Sequence, residues 1–87
     1  VNYEVRLRNS AQKQLDGIRG KEYGKIAEAI SSLDENPRPS KGKKLAESGL
    51  WCVRVGKYRV IYSIDDKAKV IIVVRVAKRS KDTYKGL

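Results

Sequence analysis

The chain has 87 residues, with 20 Lys and Arg against 10 Asp and Glu, a formal net charge of +10 and a pI near 10.0. It contains no histidine and one cysteine, Cys52, which excludes histidine-based acid–base pairs, Ser-His and Cys-His nucleophiles, an internal disulfide and a cysteine-clustered metal site. A chain this short buries about 60% of its unfolded surface, enough for one modest core, so residues 1–87 are expected to form a single domain.

No apolar run approaches the ~20 residues that span a bilayer. No basic n-region followed by an apolar h-region opens the sequence. The expectation is a soluble protein that is not secreted. The charge excess suits a polyanion, usually nucleic acid; an acidic protein partner and a merely solvated basic surface are the other readings.

Residues 2–8 alternate, with Tyr3, Val5 and Leu7 on one side and Glu4, Arg6 and Arg8 on the other. That is the pattern of a half-buried strand. Asn9-Ser10 breaks it, and Ser10 suits the N-cap of a short helix carrying Ala11, Leu15 and Ile18 at i, i+4, i+7. Gly20 ends that helix. A second begins near Glu22, with Tyr23, Ile26, Ala27, Ile30 and Leu33 on one stripe. Two short helices joined at a glycine form a hairpin whose apolar stripe must cover a sheet.

Residues 34–44 (DENPRPSKGKK) read as a loop, because Pro37 and Pro39 stop the helix. Arg38, Lys41, Lys43 and Lys44 load it with positive charge, suited either to gripping phosphates or to solvation.

Trp51 to Tyr62 reads as two strands joined at Gly56-Lys57, a two-residue hairpin loop in which the glycine supplies a positive φ. This register sets Val55 opposite Tyr58, Val53 opposite Val60 and Trp51 opposite Tyr62. The other face then sets Arg54 across from Arg59, and like charges in direct opposition are unfavourable unless an anion visits them. A turn at Asp65-Asp66-Lys67 leads to a last strand, Val70 to Ala77. The register that unites the apolar residues pairs Ile64 with Val70, Tyr62 with Ile72, Val60 with Val74 and Tyr58 with Val76. It places Arg75 and Arg79 on the face of Arg54 and Arg59, together with Ile61, Ile71 and Val73. No internal repeat, glycine-rich phosphate loop or zinc spacing is present.

The whole chain resembles the RelE/ParE toxin superfamily of prokaryotic toxin–antitoxin systems. The features that carry this are Asn36-Pro37 after the second helix, then Lys44-Leu45, and the run GLWCVRVGKYRVIY at 49–62 with its Tyr58-Arg59 pair. Lys78-Arg79 followed by Tyr84 completes them. The resemblance implies an α+β fold in the order β-α-α-β-β-β, a helical hairpin packed on an antiparallel sheet as in microbial ribonucleases. It also implies a cytoplasmic toxin that cleaves mRNA in the ribosomal A site and is blocked by a cognate antitoxin. Its partners would be that antitoxin, the ribosome and mRNA, with no membrane, metal or cofactor. Two alternatives remain open: a ParE-like inhibitor of DNA gyrase that cuts nothing, and a weakened relative that only binds RNA or a partner.

Carried over by position, Arg59, Arg79, Tyr84 and Arg54 match the family's catalytic positions. The first basic position of the preceding strand is occupied by Cys52. Such a site needs no histidine, because the 2′-OH of RNA can attack its own 3′-phosphodiester. Guanidinium groups stay protonated and present a bidentate fork to the growing phosphorane charge. On this reading Arg59 and Arg79 stabilise the phosphorane, Arg54 clamps a phosphate, and Tyr84 stacks on a base or exchanges a proton. Lys78 is the candidate general base. Arg75, Lys57, Lys41, Lys43, Lys44 and Lys81 are candidate RNA contacts.

Overall fold

The computed structural model describes residues 3–39, 42–45 and 49–78. Its elements are β1 (Glu4–Leu7), α1 (Asn9–Asp16), α2 (Lys21–Ser32), β2 (Gly42–Lys44), β3 (Trp51–Val55), β4 (Tyr58–Asp65) and β5 (Val70–Lys78). The strands form one sheet in the order β1-β5-β4-β3-β2. Two helices on one sheet is the expected α+β arrangement, but the sheet is mixed, because β1 pairs with β5 in parallel. Successive hairpins fix the direction of β5, whereas β1 is separated from it in the chain by both helices and by β2, β3 and β4, a long connection of the kind parallel neighbours require.

The three-residue strand β2 lies in the segment that reads as a loop, and pairs antiparallel with β3. Helix α2 ends at Ser32, ahead of the prolines expected to stop it, in turns where the Leu33, Asp34 and Glu35 amides donate to the Ile30, Ser31 and Ser32 carbonyls. The Gly42 amide then donates to the Pro39 carbonyl at 2.8 Å to bring the chain back to the sheet. A Cβ at position 42 would come to 3.1 Å from that same oxygen, so glycine suits the approach.

Helix α1 starts earlier than its sequence suggests. Arg8 is the extended N-cap residue and no side chain caps the helix, so Ser10 lies inside the first turn. The preceding strand fixes this start, since the Arg8 amide is tied to the Val73 carbonyl at 3.0 Å. Gly20, at φ 74°, turns the chain into α2. The buried stripe of α2 is Ile26, Ile30 and Leu33; Tyr23, in its first turn, is 42% exposed. These residues, with Ala11, Leu15 and Ile18, pack on Val53, Val60, Tyr62, Ile71, Val73 and Val76 to form the core.

The β3–β4 hairpin has the register its alternation predicts, from Trp51 opposite Tyr62 to Val55 opposite Tyr58, and Gly56 takes φ 59°. The β4–β5 register differs from expectation. Asp65 pairs with Val70, Ile64 with Ile71 and Tyr62 with Val73. A bulge follows, after which Ile61 pairs with Arg75, Val60 with Val76 and Tyr58 with Lys78. Ile71 and Val73 therefore lie in the core beneath the helices rather than on the arginine face. The cause is a four-residue turn in which the Ala68 amide donates to Asp65 Oδ1 at 3.0 Å and Lys69 takes φ 58°. Beside the bulge, Gln14 of α1 accepts the Val76 amide at 2.8 Å, satisfying a group displaced from the regular ladder.

Candidate nucleic-acid interface

Cross-strand partners share a face of a sheet, so the register locates each predicted side chain. On the face away from the helices, Arg54 of β3 lies opposite Arg59 of β4. Cys52 lies opposite Ile61, and Ile61 lies opposite Arg75 of β5. Cys52 and Ile61 are buried, at 5% and 0% exposure, yet stand outside the helix-side cluster. They form an apolar floor between cations. Arg59 is half-buried and its Nη1 atom is fully buried, whereas Arg54 is exposed. The extra residue of the bulge is what returns Arg75 to this face after Ile71 and Val73 have turned to the core.

Beyond Val53, β3 has no outer neighbour among the described residues. A groove of about 460 Å³ opens there between α2 and β3, lined by Lys25, Ala29, Pro39, Val53 and Arg54 among others. Arg54 thus stands at the corner where the arginine face meets the helix side.

The other predicted residues do not all gather here. Lys78 lies opposite Tyr58, on the face shared with Val60 and Val76, so the backbone turns it away from Arg59. Lys57, in the hairpin turn, has its Nζ 3.6 Å from Glu22 of α2. Lys44 lies opposite Trp51, on the helix side, whereas Lys43 lies opposite Cys52, on the arginine side. Arg79, Tyr84, Lys41 and Lys81 lie outside the described residues.

Arg38 looks from sequence like one more loop cation; here it is a brace. Its Nη2 is 2.8 Å from Asp66 Oδ2, its Nη1 is 3.3 Å from Asp66 Oδ1, and its guanidinium lies 5.4 Å from the centre of the Trp51 ring. Tyr3 donates to Asp66 Oδ1 at 2.6 Å. Hydrogen bonds from Arg38, then from Tyr3, hold the Asp66 carboxyl below its ordinary value, and the bond to Asp66 raises Arg38. Nearby, Tyr62 donates to the Pro37 carbonyl at 2.8 Å, and burial pushes its phenol up to about 12. These contacts fasten the proline loop across the end of the sheet, upstream of β2.

The sheet thus carries two helices on one face and arginines on the other, and comparison with known proteins supplies the family to which this arrangement belongs. The profile of the family "ParE toxin of type II toxin–antitoxin system, parDE" matches residues 5–83. The chain belongs to this family, within the RelE/ParE toxin superfamily. Toxin RelG of Mycobacterium tuberculosis is 29% identical over 85 residues, covering 95% of this chain and 97% of that protein. The archaeal RelE–RelB complex from Pyrococcus horikoshii contains a chain with a TM-score of 0.82 and 30% identity, covering 93% of this chain and 99% of its own. The toxin–antitoxin complex RelBE2 of M. tuberculosis gives 0.79 and 29%, with 91% and 100% covered.

Proposed function

We propose that this toxin is a RelE-like endoribonuclease acting on ribosome-bound mRNA in the cytoplasm of a prokaryote, and that a cognate antitoxin silences it. The observation that carries this reading is the arginine face: Arg54, Arg59 and Arg75 from three adjacent strands around a buried floor of Cys52 and Ile61. Relatives at about 30% identity bear RelE and RelG names, and two of them come from complexes with an antitoxin. A ParE-like reading, inhibition of DNA gyrase without cutting, has the family profile in its favour.

In the reaction the 2′-oxygen of one nucleotide attacks the adjacent phosphorus and its proton is lost. The bond from phosphorus to the 5′-oxygen breaks and that oxygen takes up a proton, leaving a 2′,3′-cyclic phosphate and a 5′-hydroxyl. Arg59, half-buried and permanently protonated, meets the phosphorane charge where water is partly excluded and its field is strongest. Arg54 holds a flanking phosphate from the exposed edge. Arg79 and Tyr84 are proposed partners in charge stabilisation and base stacking. Lys78, turned to the other side of the sheet, is left out of the proton transfers.

The test is expression of the chain followed by primer-extension mapping of message ends. Cuts within translated codons, lost in Arg59→Ala while the variant stays folded, support the nuclease. Removing such a donor lowers the rate by about 10²–10³. DNA breaks and an SOS response with intact messages would establish the gyrase reading instead.

A further inference from the structure

The segment that sequence reads as a loop contributes a strand, and that strand changes the charge pattern of the arginine face. Lys43 of β2 is the direct partner of Cys52, Cys52 of Ile61 and Ile61 of Arg75. One row therefore crosses four strands with a cation at each end and two buried apolar residues between. Cys52 is also the position where the family resemblance leads one to expect a basic residue. Directly paired residues have their Cβ atoms about 4.5–5.5 Å apart, a gap the four-carbon stem of a lysine readily spans. Lys43 is exposed, and among the described residues no carboxylate is ion-paired with it.

From this geometry we infer that Lys43 supplies, from the neighbouring strand, the cation missing at position 52. It contacts a phosphate of the RNA backbone on the strip that includes Arg54 and Arg59. The inference rests on the RNA-directed reading above; it singles out Lys43 from the candidate RNA contacts and gives it a strand, a position beside Cys52 and a ligand atom. Cys52, being small and buried, serves as the floor over which the lysine chain lies, with the aliphatic stem on apolar surface and the ammonium in water. Lys44, the next residue, is turned to the opposite face beside Trp51. The protein thus carries its own control: two adjacent lysines of equal charge, only one of them on the binding strip.

The experiment measures binding of the full chain to a short single-stranded RNA across a salt series, using a 2′-deoxy linkage at any cleavable step. Each phosphate contact to a single strand contributes about 0.7 to the slope of log K against log salt. Lys43→Ala should make that slope shallower by about 0.7, with Lys44→Ala unchanged and Lys43→Arg close to wild type. Adding Cys52→Lys to Lys43→Ala should restore the slope; should that double variant not fold, the comparison of the two single lysine variants decides. Equal slopes for Lys43→Ala and wild type, or equal losses from the two lysines, would overturn the inference. Cleavage, assayed separately in a translating extract, distinguishes the two claims. A Lys43-dependent slope without message cutting removes the nuclease and leaves the contact, and cutting with a Lys43-independent slope does the reverse. Absence of salt-dependent RNA binding removes the contact outright.

Discussion

Arg54 and Arg59 face one another across the β3–β4 hairpin as direct cross-strand partners. Like charges so placed oppose folding by about 0.2–1 kcal/mol, and the fold does nothing at Arg54 to bury or hide the charge. The pairing makes sense as an arrangement that is useful when an anion arrives. Arg54→Thr should therefore raise stability by a few tenths to about 1 kcal/mol, read as a higher urea midpoint, while weakening RNA binding. The gain should shrink in high salt, because the repulsion is solvent-screened. A loss of stability at low salt would show that the two charges are not in opposition.

The brace at Asp66 has a definite pH signature. Its folded value is depressed below the reference 3.8 by the hydrogen bonds from Arg38 and Tyr3. A depressed carboxylate contributes stability that is complete above the unfolded value and is lost as pH falls through the folded one. Asp66→Asn should thus be less stable than wild type near neutrality, with the gap closing as the solution is acidified below 3.8. Urea midpoints of both proteins at about pH 7 and about pH 2.5 measure this. A gap of constant size would assign the loss to packing rather than to the charge.

What could be read from residues alone follows from where the hydrophobic period is unambiguous. In 51–62 the alternation is interrupted by one glycine turn, so strand limits, register and the Arg54–Arg59 pairing were all legible. In 70–76 the run Val-Ile-Ile-Val-Val-Arg-Val has almost no polar phase marker, so period 2 does not tell which face is which. The four-residue turn shifts the pairing by one, and the bulge shifts it by one more. The first shift moved Ile71 and Val73 into the core, and the second restored Arg75 to the expected face. Strand β2 is hidden because Gly42-Lys43-Lys44 carries no strand signal of its own; pairing to β3 creates it. The bond between Arg38 and Asp66 spans 28 positions and leaves no local trace, so a structural arginine looked like a free cation.

Gln14 tests whether the bulge is held by the helix above it. Its side-chain oxygen accepts the Val76 amide at 2.8 Å in a partly buried setting. Gln14→Ala leaves that donor without its partner, at a cost of about 1–3 kcal/mol, whereas Gln14→Glu keeps an acceptor oxygen. The expected order of urea midpoints is wild type, then Glu, then Ala, with faster amide exchange at Val76 in the alanine variant. If alanine and glutamate were equally stable, the ladder would be satisfying the amide by itself.

Tyr62 joins the core to the proline loop, and its two ends can be separated experimentally. The ring is fully buried, while the hydroxyl donates to the Pro37 carbonyl at 2.8 Å. Tyr62→Phe keeps the ring and removes the donor, which should cost about 1 kcal/mol, rising toward 3 if the carbonyl stays dry. Alkali supplies the second arm. Burial raises the phenol from 10.0 to about 12, so the folded chain holds a proton that the unfolded chain releases at lower pH. Stability from this group is complete below the unfolded value and falls as pH rises past it toward the folded one. The wild-type advantage over Tyr62→Phe should therefore narrow between pH 10.0 and about 12, seen as converging urea midpoints. An advantage that stayed constant across that interval would mean that the phenol ionises as readily in the folded protein as in the open chain.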